Sequence, residues 1–131
     1  MALHVFLLED NPTIRDNLVS TLDEEVGAEV VMVASGEAEA RRWLAGNSQW
    51  GLAIVDLFVK DGSGLGVLRA QKGRRPEQRV VVLSNYATTD MRTQCLLLGA
   101  DRIFDKSTEL EAFLDYVGAL DSRDSIPGGG S

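Results

Sequence analysis

Short apolar runs alternate along the chain with longer stretches in which apolar residues recur every three or four positions. Runs of the first kind predict β-strands, and stretches of the second kind predict amphipathic helices. Five strands are predicted, at His4 to Leu8, Glu29 to Val33, Leu52 to Val55, Val80 to Leu83 and Arg102 to Phe104. Because a helical stretch follows each strand, the pattern is a (βα)5 repeat, which favours an α/β fold with a parallel sheet covered on both faces.

Cap residues and glycines indicate where the predicted helices begin and end. The first begins with Asn11 as its cap and Pro12 in its first turn. The second runs from about residue 35 to 46, the third from 64 to about 73, the fourth stops at Gly99, and the fifth places Leu110, Phe113, Leu114 and Val117 on one face. Residues 1–120 are therefore predicted to form one domain. Residues 121–131 are polar and end in Gly-Gly-Gly-Ser, which predicts a flexible tail or linker.

Composition narrows the classes of function. The 131 residues carry a formal net charge of −7, which argues against direct binding of nucleic acid. No apolar stretch is long enough to insert into a membrane or to act as a leader, so a cytoplasmic location is expected. Cys95 is the only cysteine, which excludes an internal disulfide, and its place on an apolar helix face predicts a core position.

Polar side chains stand at the carboxyl ends of four predicted strands. Glu9 and Asp10 follow the first strand, and Asp56 follows the third and precedes a glycine-rich turn. Ser84 follows the fourth strand, and Lys106 comes two residues after the fifth. Ligands of open parallel sheets bind beyond the carboxyl ends of the strands. The five side chains therefore predict one site.

Each of these side chains, taken alone, also has an ordinary interpretation as a helix cap, a turn residue or a surface charge. Together, three neighbouring acids would repel one another and raise a pKa unless a cation lay among them, so the cluster predicts a divalent metal. Oxygen ligands favour Mg²⁺, with Mn²⁺ as the second choice. Lys106 and Ser84 add a charged and a neutral donor, which suits an oxyanion such as a phosphoryl group.

Four motifs in this order make the chain resemble the receiver domain of response regulators in bacterial two-component signalling. The motifs are Leu8-Glu9-Asp10-Asn11-Pro12, Val55-Asp56-Leu57 with Asp61-Gly62-Ser63-Gly64 after it, Val82-Leu83-Ser84, and Leu98-Gly99-Ala100-Asp101 leading to Lys106. Each is weak alone, but their order and spacing together are highly specific. The resemblance extends from about Leu3 to Leu120.

This resemblance implies a flavodoxin-like, doubly wound sheet with strand order 2-1-3-4-5. It implies a phosphoacceptor signalling domain that catalyses its own Mg²⁺-dependent phosphorylation and slow dephosphorylation, and that is not an enzyme acting on other substrates. The implied site has Asp56 as phosphoacceptor, Ser84 and Lys106 as contacts to the phosphoryl oxygens, and Glu9 (through water), Asp10, Asp56 and the Phe58 carbonyl around the metal.

The resemblance also implies the partners. The phosphoryl donor would be a sensor histidine kinase or a histidine phosphotransfer protein. A downstream protein would bind the face formed by the fourth helix, the fifth strand and the fifth helix, and pairing with a second copy of the chain is a further expectation.

The chain departs from the usual receiver pattern at several positions near the site. Ile103 stands where receivers commonly carry an aromatic residue that swings inward on phosphorylation, which puts that rotamer switch in doubt. Ser107 replaces the proline that usually follows Lys106, so the last loop is expected to be differently shaped or more mobile. Phe58 and Tyr86 occupy positions that flank the phosphoryl site in receivers, and they are expected to hinder attacking water.

Two other classes of function are open to this sequence. A phosphohydrolase of the haloacid-dehalogenase type would also use a strand-end aspartate, but it needs a second acid two residues after Asp56, and Phe58 occupies that place. The other alternative is a phosphorylation-independent, receiver-like binding module, which Ile103 and Ser107 favour and which the retained acids, Ser84 and Lys106 disfavour.

Overall fold

The fold is a five-stranded sheet flanked by five helices, seen here in a computed structural model. The structure describes residues 2–85 and 87–125, with side chains as far as residue 120. The elements are β1 His4–Leu8, α1 Pro12–Val26, β2 Glu29–Ala34, α2 Glu37–Gly46, β3 Leu52–Val55, α3 Gly64–Ala70, β4 Arg79–Ser84, α4 Thr89–Leu97, β5 Arg102–Asp105 and α5 Leu110–Ser125.

All strand pairs are parallel, and the order across the sheet is β2-β1-β3-β4-β5. This confirms the predicted α/β fold and strand order. Each predicted strand is present, although β2, β4 and β5 extend one residue further at their carboxyl ends and β4 also begins one residue earlier. The third helix ends at Ala70 rather than near Gly73.

Two apolar layers cover the sheet because neighbouring residues of a strand face opposite sides. Phe6 and Leu8 of β1 belong to the layer formed with α2, α3 and α4, where Cys95 is buried as predicted. Val5 and Leu7 belong to the layer formed with α1 and α5. β1 from Val5 onward and all of β3 are therefore buried on both faces, and polar groups lie only at the ends of these strands.

Side-chain caps begin three of the helices. Asn11 accepts hydrogen bonds from the backbone N–H groups of Thr13 and Ile14, which confirms the predicted start of α1. Ser63 caps α3 and Thr88 caps α4 in the same way. These caps begin the helices that follow β1, β3 and β4, whose carboxyl ends lie at the edge of the sheet where the site is predicted.

α5 continues to Ser125, five residues past the predicted end of the domain. The rest of the predicted tail lies outside the described residues, so the boundary at residue 120 stays a prediction. Among the helices of the described residues, none combines the length and the apolar character needed to cross a bilayer.

Candidate functional site

Three carboxylates meet at the carboxyl edge of the sheet. The parallel register of β1 and β3 pairs Leu8 with Val55, so the residues that follow these strands leave the sheet side by side. Glu9, Asp10 and Asp56 each offer an oxygen atom, and these three atoms lie within 4.8 Å of one another. Glu9 is only 2% exposed and Asp56 only 7%. The structure thus brings together the acids that the sequence predicts as one cluster.

Lys106 follows β5, the edge strand that lies two strands from β3, and its side chain contacts this cluster. Its Nζ lies 2.5 Å from Glu9 Oε1 and 3.2 Å from Asp56 Oδ2. Its backbone N–H donates to the carbonyl of Ser84, which ends β4 and is fully buried. The β4–β5 register, which pairs Ser84 with Asp105, places the predicted hydroxyl and ammonium at the same edge as the acids.

The charges of this cluster do not balance. Three carboxylates face one ammonium, which leaves two negative charges over when all four groups are ionised. Burial raises the pKa of Asp56, the Lys106 ammonium opposes that rise, and the Glu9 charge adds to it. A divalent cation carries the missing charge, and an all-oxygen donor set matches the preference of Mg²⁺. The residues present therefore fit the predicted metal.

Ligand spacing adds a constraint on how such an ion would be held. Direct Mg²⁺ ligands lie about 2.0–2.1 Å from the ion, so two of them cannot be much more than about 4.2 Å apart. The three oxygens lie within 4.8 Å of one another, a limit that leaves room for one acid to bind the ion through water. Glu9 suits that place, since its two oxygens already accept hydrogen bonds from Lys106 Nζ and from the Asn11 backbone.

The loop after β3 contacts two of the acids through its backbone. The Phe58 N–H donates to Asp56 Oδ1 at 3.3 Å, and the Lys60 N–H donates to Asp10 Oδ2 at 2.7 Å. The Phe58 side chain is 51% exposed, so its ring lies at the surface beside the site. Tyr86, the other aromatic residue expected to hinder water, lies outside the described residues.

Glu37, at the start of α2, holds that same loop and was not singled out by the sequence. Its Oε1 accepts from the Ser63 N–H at 2.9 Å, and its own N–H donates to the Asp61 carbonyl at 2.8 Å. A Cβ at position 66 would overlap the Glu37 carboxylate, so Gly66 makes the space for it. An acid in the first turn of α2 was visible in the sequence, but its contact with a loop 26 residues away was not.

Hydrogen bonds to Asp105 stabilise the loop that carries Lys106, where Ser107 stands at the position of the usual proline. Asp105 Oδ1 accepts from the Ser107 N–H at 2.8 Å, from the Ser107 hydroxyl and from the Thr108 N–H. Hydrogen bonds from Ser107 lower the pKa of Asp105. The loop is therefore a turn closed by side-chain hydrogen bonds. An aspartate two residues before a serine was a readable signal for this turn.

Ile103 stands at the position where receivers commonly carry the aromatic switch residue. It is buried beneath α4 with 7% exposure. Its backbone carbonyl accepts a hydrogen bond from Arg92 Nη1 at 3.1 Å. Arg92 is not among the predicted site residues, because a single arginine on a helix carries no pattern that marks it as functional.

Comparison with known proteins gives a consistent result. The family model "Response regulator receiver domain" matches residues 5–118. The DNA-binding transcriptional activator DevR/DosR of Mycobacterium tuberculosis is 29% identical over 126 residues, which is 91% of this chain and 58% of that protein. The acid tolerance regulatory protein ActR of Rhizobium meliloti is 42% identical over 71 residues, covering 54% of this chain and 35% of that protein. The chain thus spans less than two thirds of either relative.

One solved structure shows how far the likeness of fold extends. The receiver, or response regulator, domain of CheB from Thermotoga maritima superposes with a TM-score of 0.79 at 16% identity, covering 93% of this chain and 98% of that one. At this level of identity the match supports the fold alone.

Proposed function

Since this chain belongs to the family of response regulator receiver domains, we propose that it takes a phosphoryl group onto Asp56 in a Mg²⁺-dependent reaction and relays the signal by a conformational change. The observation that carries the proposal is the buried Asp56 carboxylate, which contacts the Lys106 ammonium and lies beside two further acids. Phosphoryl transfer needs charge compensation and a fixed geometry more than it needs covalent chemistry from the protein.

In the proposed reaction, an Asp56 oxygen attacks the phosphorus of the donor, a P–O bond forms, and the bond to the donor's leaving group breaks. The product is an acyl phosphate. Lys106 contacts the phosphoryl oxygens and offsets their charge, and the Ser84 hydroxyl donates to one of them. The Phe58 N–H, which donates to Asp56 Oδ1, orients the carboxylate so that Oδ2, on the Lys106 side, is the attacking atom.

Asp10, Asp56 and the Phe58 carbonyl would hold the metal directly, and Glu9 would hold it through water. When bound, Mg²⁺ supplies electrostatic stabilisation of the transferred group. The Lys60 N–H keeps the Asp10 carboxylate oriented, which reduces the reorganisation that binding requires.

The proposed donor is a sensor histidine kinase or a histidine phosphotransfer protein. A crevice of about 280 Å³ lies beside Lys106 between α1 and α5, with Ile14, Leu18 and Leu110 in its lining, and offers an apolar contact next to the reacting groups. Output would pass through the α4–β5–α5 face to a downstream protein or a second copy of the chain. Leu96 and Leu97 on α4, 53% and 73% exposed, favour such a contact.

The alternative, a binding module that no longer responds to phosphorylation, is less favoured. Such a module would have no need for a buried, unbalanced charge cluster, because burial of charge without full compensation costs stability. The contact between Lys106 Nζ and Asp56 Oδ2 suits phosphoryl transfer and has no evident role in simple binding. The proposed activity is the domain's own phosphorylation and slow dephosphorylation, with no separate substrate.

The test is intact-mass measurement after incubation with magnesium and acetyl phosphate. Wild type is expected to gain one phosphoryl group, and Asp56→Asn none. Asp61→Asn is the matched control, because Asp61 is an exposed acid five residues later in the same loop. Equal uptake by wild type and Asp56→Asn would reject the assignment of the acceptor.

A further inference from the structure

Arg92 joins three separate parts of the chain around the site. From α4, its Nε donates to the Ala87 carbonyl at 3.0 Å, its Nη1 to the Ile103 carbonyl at 3.1 Å, and its Nη2 to Glu109 Oε1 at 2.6 Å. These partners lie in the loop after β4, in β5 and at the start of α5. A guanidinium can serve three acceptors at fixed angles, which a lysine ammonium at the same place cannot do in the same way.

Glu109 continues this connection to Lys106. The Glu109 Oε1 that pairs with Arg92 also accepts from the Asp105 N–H at 2.9 Å, one residue before the lysine. The hydrogen bond from Arg92 lowers the pKa of Glu109, so the carboxylate is ionised at neutral pH. The Glu109 N–H in turn donates to the Asp105 carbonyl. The backbone on the N-terminal side of Lys106 is thus fixed at both of its polar groups.

We propose, on the basis of the function proposed above, that Arg92 and Glu109 are positioning residues for phosphoryl transfer: they hold the loop that presents Lys106 and link it to the loop after Ser84. Lys106 contacts Asp56 at 3.2 Å, near the upper limit of a hydrogen bond. A displacement of about 1 Å at a reacting group can cost about 100-fold in rate.

The same pair supplies a path for the signal that does not need an aromatic residue at position 103. The loop after Ser84 is bound to Arg92 through the Ala87 carbonyl, and β5 is bound to it through the Ile103 carbonyl. A shift of that loop toward a phosphoryl group would therefore displace Arg92. Because Arg92 is bound to Glu109, the start of α5 would move as well. The link uses backbone carbonyls, so the buried Ile103 side chain can stay in place.

A purely structural role makes a different prediction. Arg92 and Glu109 are each more than one third exposed, and exposed ion pairs contribute little to stability. If the pair only stabilised the fold, its loss would change the melting temperature slightly and leave the reaction unchanged. The two roles are therefore separated by measuring rate and stability on the same variants.

The experiment compares wild type, Arg92→Gln, Arg92→Lys and Glu109→Gln, with Arg69→Gln as control for loss of an exposed helical arginine that lies outside the site. Three quantities are measured: the phosphorylation rate with acetyl phosphate at saturating magnesium, the magnesium dissociation constant, and the melting temperature. We expect Arg92→Gln and Glu109→Gln to phosphorylate about tenfold more slowly. Magnesium affinity should stay within about twofold, because neither residue contacts the acids.

Arg92→Lys keeps the charge beside Glu109 and is expected to retain part of the rate, which guards against a variant that fails to fold. Arg69→Gln should match wild type. Wild-type rates in the Arg92 and Glu109 variants would overturn the proposal, and so would a loss of rate that is matched by an equal loss of magnesium affinity. Failure of the proposed function itself would look different, because wild type would then take up no phosphoryl group at all.

Discussion

Charged side chains are buried or partly buried at both ends of the sheet, but they are arranged in opposite ways. At the amino end, Asp101 Oδ2 accepts from Arg74 Nη2 and from the Val80 N–H, both at 2.8 Å. The other donors of Arg74 bind the carbonyls of Gln71, Gln78 and Gly99. At the carboxyl end, three acids face one ammonium. At the amino end, Asp101 has its counter-charges within the chain, since Arg79 Nη1 also lies 3.8 Å from Asp101 Oδ1. The carboxyl end has an excess of negative charge that a further cation would balance.

The difference separates charge that serves the fold from charge that serves the reaction. A partly buried ion pair that also donates to neighbouring carbonyls resists change, because removal of either partner leaves the other poorly solvated and without its counter-charge. An unbalanced cluster of like charges lowers the stability of the fold. Binding of a cation relieves the repulsion between these charges, and this relief favours binding. Substitutions at the amino and carboxyl ends of the sheet test this comparison.

Asp101→Asn should have the largest effect on stability. The substitution leaves the Arg74 guanidinium, whose side chain is 11% exposed, without its charged acceptor, and we expect a loss of about 3 kcal/mol in the free energy of unfolding. Asp56→Asn without metal should be neutral or stabilising, because it removes a charge whose ionised form burial disfavours. Urea unfolding of both variants in a chelator measures this. A larger loss for Asp56→Asn would contradict the comparison.

Magnesium should stabilise only through the carboxyl end. At a concentration about 100 times the dissociation constant, the ion should add about 2.7 kcal/mol to the free energy of unfolding of wild type. Asp10→Asn should lose most of this gain, Glu9→Gln less if Glu9 acts through water, and Asp101→Asn none of it. Thermal unfolding across a magnesium titration gives all four values. The opposite ranking of the two acids would mean that their roles are exchanged.

The smallest effect should come from the turn after β5. The pKa of Asp105 lies below its ordinary value of 3.8, because Ser107 and Thr108 donate to the ionised carboxylate. The resulting stabilisation is present above that pH and is lost as the pH falls through the lowered pKa of the folded state. Wild type should therefore exceed Asp105→Asn in stability near pH 6, and the difference should shrink toward pH 3. A constant difference over that range would show that the Asp105 charge plays no part.

The sequence predicted most of the fold because apolar alternation directly encodes the strands of a buried parallel sheet. β1 and β3 have the predicted limits, since all their residues except the exposed His4 are buried in the core. β4 is longer than predicted because Arg79 and Ser84 take part in the ladder although neither is apolar. Backbone pairing does not depend on side-chain polarity, so a hydrophobic pattern misses such residues.

The candidate site was predictable for a related reason, because parallel strands end at one edge and polar residues that follow them must meet there. The supporting contacts were not predictable in this way. Glu37 reaches the loop after β3, and Arg92 and Glu109 meet across the gap between two helices. Each contact depends on how closely two separate elements approach one another. The periodicity of the sequence carries no information about the distance between elements.

The three lysines of this chain form a ready set of spectroscopic reporters. The Lys60 amide proton is bound to Asp10, and the Lys106 amide proton is bound to the Ser84 carbonyl. The Lys72 amide donates to Arg69 in the turn after α3, away from both. A sample labelled with ¹⁵N-lysine alone should therefore give three backbone signals, one sensitive to metal, one sensitive to the phosphorylated loop and one that serves as an internal reference.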